Sequence, residues 1–370
     1  LAPAFTQART HLKHIQTKGE VTMKSAIPST VGIMTGGGDA PGLNGIIESV
    51  SRTLIRQGVR VLGIRDGFEG IFTRDAFEIQ MEQITGIHAQ SGTYLGTSNK
   101  SGLKGKEQLF RDSVQAMGLD GLIVAGGDGT FSGLSLLGEG LRFIGVPKTI
   151  DNDLSGTEIT FGFDTACSVV SESLDALRFT AESHRRLLFV ETMGRTAGWM
   201  ALGGGLAAYA DAILIPERPF SREAFLSFIR SKQKEGRRGL VIAVSEGSYA
   251  EGEAPTVAFT VKNSPQAERY GGVAQQLSRW TEAETGWESR HVVLGHLQRS
   301  KAPTTTDRFL TLAMGVEVSR MVLDSAWGQG VVYRNGRVQR APIQDLMQPP
   351  RLVDRDHRWV KMAQALGIFI

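Results

Sequence analysis

Two loops of this 370-residue chain hold residues suited to chemistry on a phosphate. The first is Gly126-Gly127-Asp128-Gly129-Thr130, and the second is Pro147-Lys148-Thr149-Ile150-Asp151-Asn152-Asp153. Glycines allow backbone N–H groups to approach phosphate oxygens closely, and clustered aspartates can hold Mg²⁺ or accept a proton. Together they point to phosphoryl transfer. Each motif alone has a plainer reading. A triple glycine such as Gly36-Gly37-Gly38 also makes a flexible turn, and an isolated Asp-Asn-Asp also makes an Asx-type turn. Gly-Gly-Asp-Gly-Thr indicates a nucleotide-using phosphotransferase without naming the acceptor.

The elements that must position these loops are short apolar runs. Leu122-Ile123-Val124-Ala125 precedes the first loop and Phe143-Ile144-Gly145-Val146 the second, and each run reads as a buried strand. In open parallel sheets ligands bind at the C-terminal edge of the strands, where both loops would lie. Upstream, Val31–Thr35 predicts a strand, followed by the Gly36–Gly42 loop and a helix to about Arg56. Val59–Ile64 predicts a strand and Lys106–Met117 a helix. A long helix is expected from Phe163 to about Glu182. Strands follow at Leu187–Val190, Ala212–Ile215, Leu240–Val244 and His291–Leu294. Helices are expected over Ser221–Lys234, Ser264–Glu282 and Thr304–Leu323, with Ser221 and Ser264 as N-caps. Asn335-Gly336 predicts a hairpin turn. The fold class is α/β, two doubly wound lobes with mainly parallel sheets.

Composition narrows the function further. Basic and acidic residues number 41 and 38, a balance that gives no electrostatic case for nucleic acid or an anionic membrane. Glycine makes up about 12% of the chain against roughly 7% in average proteins, and the excess follows apolar runs. Cys167 is the only cysteine, so no intrachain disulfide or cysteine-based zinc site can form. No apolar run approaches the roughly 18–20 residues of a membrane helix. A cytoplasmic enzyme is expected. Residues 1–23 read as a disordered extension or as sequence upstream of a start at Met23, with a targeting peptide as the alternative.

The ordered set of motifs resembles the 6-phosphofructokinase family. It comprises Thr35-Gly36-Gly37-Gly38-Asp39-Ala40-Pro41-Gly42-Leu43-Asn44, the two loops, Met193-Gly194-Arg195, Ser245-Glu246-Gly247 and Leu294-Gly295-His296-Leu297-Gln298-Arg299. The resemblance spans about residues 30–325. It implies Mg²⁺-dependent, in-line transfer from ATP to the 1-hydroxyl of fructose 6-phosphate. By that resemblance Asp151 is the general base, with Thr149 and Arg195 supporting the transferring group. Asp128 and Asp153 match the magnesium-associated carboxylates. Gly38, Gly127, Gly129, Thr130, Gly133 and Lys148 match the donor site, as do Phe68, Asn99 and Lys100. Arg186, Arg290, His296 and Arg299 match the sugar-phosphate contacts, Glu246 a ligand of the sugar hydroxyls, and Met193 with Gly194 the pocket lining. In bacterial relatives the equivalents of Arg186 and Arg290 reach into a neighbouring subunit, which implies at least a dimer, with a tetramer as the usual assembly. The resemblance also implies a donor lobe of residues 24–162 and 298–348 and a sugar-phosphate lobe of residues 163–297 and 349–370.

Departures from the bacterial pattern bear on the donor. Lys148 stands where ATP-using bacterial relatives carry Gly and pyrophosphate users carry Lys. Gly129 stands where pyrophosphate users carry Asp, and a carboxylate there would crowd and repel a nucleotide. The Gly/Lys combination resembles plant and protist enzymes that use ATP. Asn99 replaces an arginine, leaving Lys100 or Lys104 as substitutes, and this keeps ADP and pyrophosphate as alternatives. Glu48 and Glu235 replace basic effector-site residues. Phe68 matches an aromatic near the adenine, and core packing accounts for it equally well. A sugar-phosphate-binding regulatory subunit is the non-enzymatic alternative, and sedoheptulose 7-phosphate an alternative acceptor.

Overall fold

The computed structural model describes residues 28–98, 102–138, 140–260 and 267–370. The expectations for residues 1–23, for Asn99 and Lys100 and for an N-cap at Ser264 lie outside the described residues. In chain order the strands are β1 (Thr30–Thr35), β2 (Arg60–Ile64), β3 (Ala76–Glu78), β4 (Gly121–Gly126) and β5 (Phe143–Pro147). They continue with β6 (Leu187–Thr192), β7 (Ala212–Leu214), β8 (Leu240–Ser245), β9 (Val257–Thr260), β10 (Glu268–Tyr270) and β11 (Ser289–Val293). The last two are β12 (Gln329–Arg334) and β13 (Arg337–Pro342).

These strands build two main sheets. One is seven-stranded, in the order β13-β12-β5-β4-β1-β2-β3, and its inner pairings are parallel. Antiparallel β3 and β13 close its two edges. The other, in the order β11-β6-β8-β7, is parallel throughout. Every residue of β4, β5, β6 and β8 is buried. Helices on both faces of a parallel sheet demand such continuous apolar runs. Asn335 and Gly336, at φ 53° and 75°, turn the β12–β13 hairpin. That is the left-handed pair a two-residue type I′ turn requires.

Side-chain caps fix the helices. Ser221 accepts from the Ala224 main-chain N–H, as its sequence position predicts, and Thr304, not among the expected caps, accepts from the Asp307 N–H. Asp307, itself buried, accepts from the Gly162 and Thr165 N–H groups, capping the helix Phe163–His184 from another helix. One expected helix is corrected. It runs over Val273–Thr285 rather than from Ser264, because Glu268–Tyr270 pairs antiparallel with β9 and Gly271-Gly272, at φ 148° and 86°, break the chain direction. Buried Glu191 in β6 caps the new start, accepting from Gly272 and Ala274 N–H groups at 2.9 Å each.

Candidate active site

The C-terminal ends of β1, β4 and β5 lead into the Gly36–Gly42, Gly126–Thr130 and Lys148–Asp153 loops. Those of β6, β8 and β11 lead into Met193–Arg195, Glu246-Gly247 and Gly295–Arg299. The first two glycine loops are locked together. Gly36 N–H donates to Ala125 O at 2.8 Å, and the buried Thr130 side chain fills the space beside both Gly36 and Gly126. A Cβ on Gly126 would lie 2.5 Å from Thr130 Cβ, so this close approach admits only glycine. Thr130 therefore packs the two loops against each other. Gly129, in the first turn of the helix Asp128–Ser135, differs: a Cβ there would meet nothing within 4 Å.

Lys148 is buried, and its ammonium donates to Gly38 O at 2.5 Å. Burial, and then the Arg299 charge, bring its pKa down to about 8, against the opposing pull of Asp151, Asp39 and Asp153. Arg299 donates to Asp39 O, which sets its guanidinium beside Gly38 on the glycine loop. Thr97 hydroxyl donates to Gly37 O at 2.5 Å, and Thr35 hydroxyl to Gly96 O at 2.7 Å. Thus the segment leading to Asn99 hangs on this same loop.

Asp151 sits where these groups meet. Burial pushes its carboxyl above the ordinary range, while Arg299, Lys148 and Arg195 pull it down. Its Oδ1 is buried and has no hydrogen-bond partner. Asp153 is pushed up to about 7, first by burial and then by the Asp151 charge, with Asp128 adding to it. Glu246 also rises to about 7, through burial and then Asp151, while accepting from Arg195 N–H at 3.0 Å. Thr149 hydroxyl accepts from Asp151 N–H at 3.1 Å. Crowded carboxylates of this kind suit a cation, yet no three candidate ligands among the described residues stand close enough to cage one. Asp128 and Asp153, close enough for their charges to interact, are the carboxylates that could hold a magnesium ion, which would need further oxygen ligands from outside the protein.

On the second sheet, Met193 N–H donates to the side-chain oxygen of buried Gln298 at 3.3 Å, and Gly194 and Arg195 take positive φ. His296 is exposed at the start of the short helix Leu297–Ser300. Arg186 and Arg290 lie apart from this group. Both grip Glu288, at 2.9 and 2.5 Å, at the N-terminal ends of β6 and β11. Glu246 follows the opposite end of β8, roughly 16 Å from the level of Arg290 and roughly 23 Å from that of Arg186 along the strand direction at the usual rise per residue. Phe68 belongs to the core, edge-on to Phe110 at 6.0 Å and against the Gly133 backbone. Glu48 is buried and accepts from His88 and Gly86 N–H groups at 2.9 and 3.2 Å, whereas Glu235 pairs with Lys232.

Two residues with no signal in the sequence complete the site's surroundings. Arg351 binds the Asp151–Asp153 loop, its Nη2 donating to Asn152 O at 2.8 Å. Glu217 accepts from Gly198 and Val353 N–H groups at 2.9 Å each. Neither belongs to a local motif, because each acts on main-chain groups distant in sequence.

Opposed C-terminal sheet edges bring buried acids, glycine loops and arginines together in a two-lobed, doubly wound α/β protein. Residues 30–322 match the family "Phosphofructokinase", and the chain belongs to that family. It is 39% identical to "ATP-dependent 6-phosphofructokinase 3" of Streptomyces coelicolor, across 87% of this chain and 96% of that protein. It is equally 39% identical to "Pyrophosphate--fructose 6-phosphate 1-phosphotransferase" of the same organism, across 88% and 96%. "ATP-dependent 6-phosphofructokinase 2" of Clostridium perfringens is 35% identical, across 91% and 97%. Among solved structures, phosphofructokinase from Saccharomyces cerevisiae superposes with a TM-score of 0.76 at 28% identity, covering 91% of this chain. This chain spans 46% of that yeast polypeptide, about half its length. A pyrophosphate-dependent phosphofructokinase from Marinobacter aquaeolei shares the fold, with a TM-score of 0.77 at 21% identity, across 92% of this chain and 88% of that one. No helix among the described residues is long and apolar enough to cross a membrane.

Proposed function

We propose that this chain is an ATP-dependent 6-phosphofructokinase that phosphorylates the 1-hydroxyl of fructose 6-phosphate. The observation that carries the reading is the buried, unpartnered Oδ1 of Asp151 among Lys148, Arg299 and Arg195. A buried carboxylate oxygen without a donor is costly unless a ligand supplies one, and a substrate hydroxyl does so. As the sugar oxygen bonds to the γ-phosphorus, its proton passes to Asp151 and the bond to the β-phosphate oxygen breaks, releasing ADP. Lys148, Arg195 and Thr149 meet the charge on the phosphoryl oxygens. A magnesium ion held by Asp128, Asp153 and the donor phosphates would neutralise charge along the phosphate chain. The Gly127–Thr130 turn receives the donor, and Glu246, Met193, Gly194, His296 and Arg299 receive the sugar phosphate.

Arg186 and Arg290, at the far edge of their sheet, serve a neighbouring protomer's site, so the active unit is a homodimer or a tetramer of such pairs. The lobes follow the boundaries given above, and a cytoplasmic location accords with these substrates. Pyrophosphate as donor is the second reading, favoured by Lys148 over the Gly38 loop and by relatives bearing that name at 39–40% identity. Values of kcat/KM for ATP, ADP and pyrophosphate, measured side by side at saturating fructose 6-phosphate, test it. A preference for pyrophosphate overturns the ATP assignment.

A further inference from the structure

We propose that Arg351 is a positioning residue that sets the Asp151–Asn152–Asp153 loop against the Arg195 loop; this rests on the reading of Asp151 as the base. Asn152 occupies a left-handed backbone conformation, φ 53°, which an L-residue adopts at some cost. The loop is therefore held in place from outside, on two sides. Thr160 grips the Asn152 side chain, its N–H donating to Oδ1 at 3.0 Å and its hydroxyl at 3.3 Å. Arg351 grips the main chain, Nη2 donating to Asn152 O at 2.8 Å and its own N–H to Asp153 O at 2.6 Å.

The other contacts of Arg351 lead into the second lobe. Its guanidinium lies 4.4 Å above the buried Trp199 ring, and Trp199 Nε1 donates back to Arg351 O at 2.8 Å. Trp199 begins the helix that follows Met193–Arg195 directly. Glu217 anchors both strands of this junction, taking the Gly198 N–H before Trp199 and the Val353 N–H after Arg351. One side chain thus spans the loop carrying the base and the helix start that follows Arg195. Burial draws the Arg351 pKa downward against the charges of Asp153 and Glu158, and its Nε has no partner. A cation kept there for packing alone would be poorly placed, since apolar replacements of buried charges cost little. A geometric role accounts for it, because misplacing reacting groups by about 1 Å can cost on the order of 100-fold in rate.

The test compares Arg351→Met, Arg351→Lys, Asp151→Asn and the Arg351→Met/Asp151→Asn double variant, using the full chain with Mg-ATP and fructose 6-phosphate. Arg351→Met should lower kcat by about 10- to 100-fold, with both KM values changed less than about twofold. Arg351→Lys should recover part of that loss. In the Asp151→Asn background the Met substitution should cost less than about twofold, because both changes act on one group. A raised KM with unchanged kcat, or losses that multiply in the double variant, overturns the proposal. Should Arg351→Met fail to fold, Arg351→Gln, too short to hold both Trp199 and Asn152, carries the comparison, and wild-type kcat there overturns it. Full turnover in Asp151→Asn sinks the base assignment itself. Full turnover in Arg351→Met beside a crippled Asp151→Asn sinks the positioning role alone.

Discussion

The Lys148 ammonium donates to Gly38 O at 2.5 Å across 110 residues of chain, tying the loop after β5 to the loop after β1. Its pKa of about 8 brings the charge within reach of ordinary assay conditions. The group is protonated below that value and neutral above it. Accordingly kcat/KM for the phosphate donor, which reports the free enzyme, should fall as pH rises through about 8. Lys148→Arg should move this alkaline limb upward, because guanidinium keeps its proton across that range. A profile for Lys148→Arg that overlays the wild type up to pH 10 would assign the limb to another group.

The burial of several carboxyl groups bears on stability. Asp153 and Glu246 rise to about 7 and Asp307 to about 6, all above their unfolded values. A raised acid binds more protons folded than unfolded, so these groups make stability fall as pH climbs from about 4 to 7, the reverse of an ion-paired carboxylate. Asp153→Asn should therefore stabilise the magnesium-free protein at pH 8 by about 1–3 kcal/mol and by little near pH 4. Urea midpoints of the two proteins at both pH values decide this. A substitution that destabilises at pH 8 would show that the Asp153 carboxylate is held by favourable partners instead.

Much of this site is legible in the sequence because its parts are local. A glycine loop after an apolar run, or Asp-Asn-Asp after another, encodes its own position at a strand's C-terminal end, and β4 and β5 occupy those runs. What escapes the sequence depends on distant partners. The helix Trp199–Ala207 contains Gly203-Gly204-Gly205, poor in helix propensity, and forms because it packs tightly: a Cβ on Gly204 would lie 2.5 Å from Val170 side-chain carbons. Ser264 offers a plausible cap, but Gly271-Gly272 and the Glu191 carboxylate decide where that helix starts. Arg351 and Trp199 stand 152 residues apart, and no spacing rule links them.

The shared Glu288 grip of Arg186 and Arg290 yields a prediction about assembly. Arg290→Ala should mainly raise KM for fructose 6-phosphate, since a lost phosphate fork removes binding common to ground and transition states. Mixing that variant with Asp151→Asn should restore activity after subunit exchange, because one class of site then has both residues intact. No recovery once mixed oligomers are verified by mass spectrometry would mean that each site is built from one chain.

The open position at Gly129 yields a prediction about the donor. Gly36 and Gly126 are glycines because protein atoms press on them, but at 129 a side chain would meet no protein atom within 4 Å. Space is kept there beside the first turn of the helix Asp128–Ser135, where main-chain N–H groups favour an anion. Gly129→Asp should therefore fold normally and act on the donor alone. The added carboxylate would crowd and repel the α-phosphate of ATP, cutting ATP-dependent kcat/KM by at least about tenfold, roughly 1.4 kcal/mol. Pyrophosphate extends less far along the turn, so its kcat/KM should fall less. Lys148 adds a cation that either donor can use and so does not exclude ATP. Steady-state kinetics of wild type and Gly129→Asp with both donors, together with their melting temperatures, separate these effects. Equal losses with both donors at unchanged melting temperature would remove Gly129 from donor selection and leave Lys148 as the determinant.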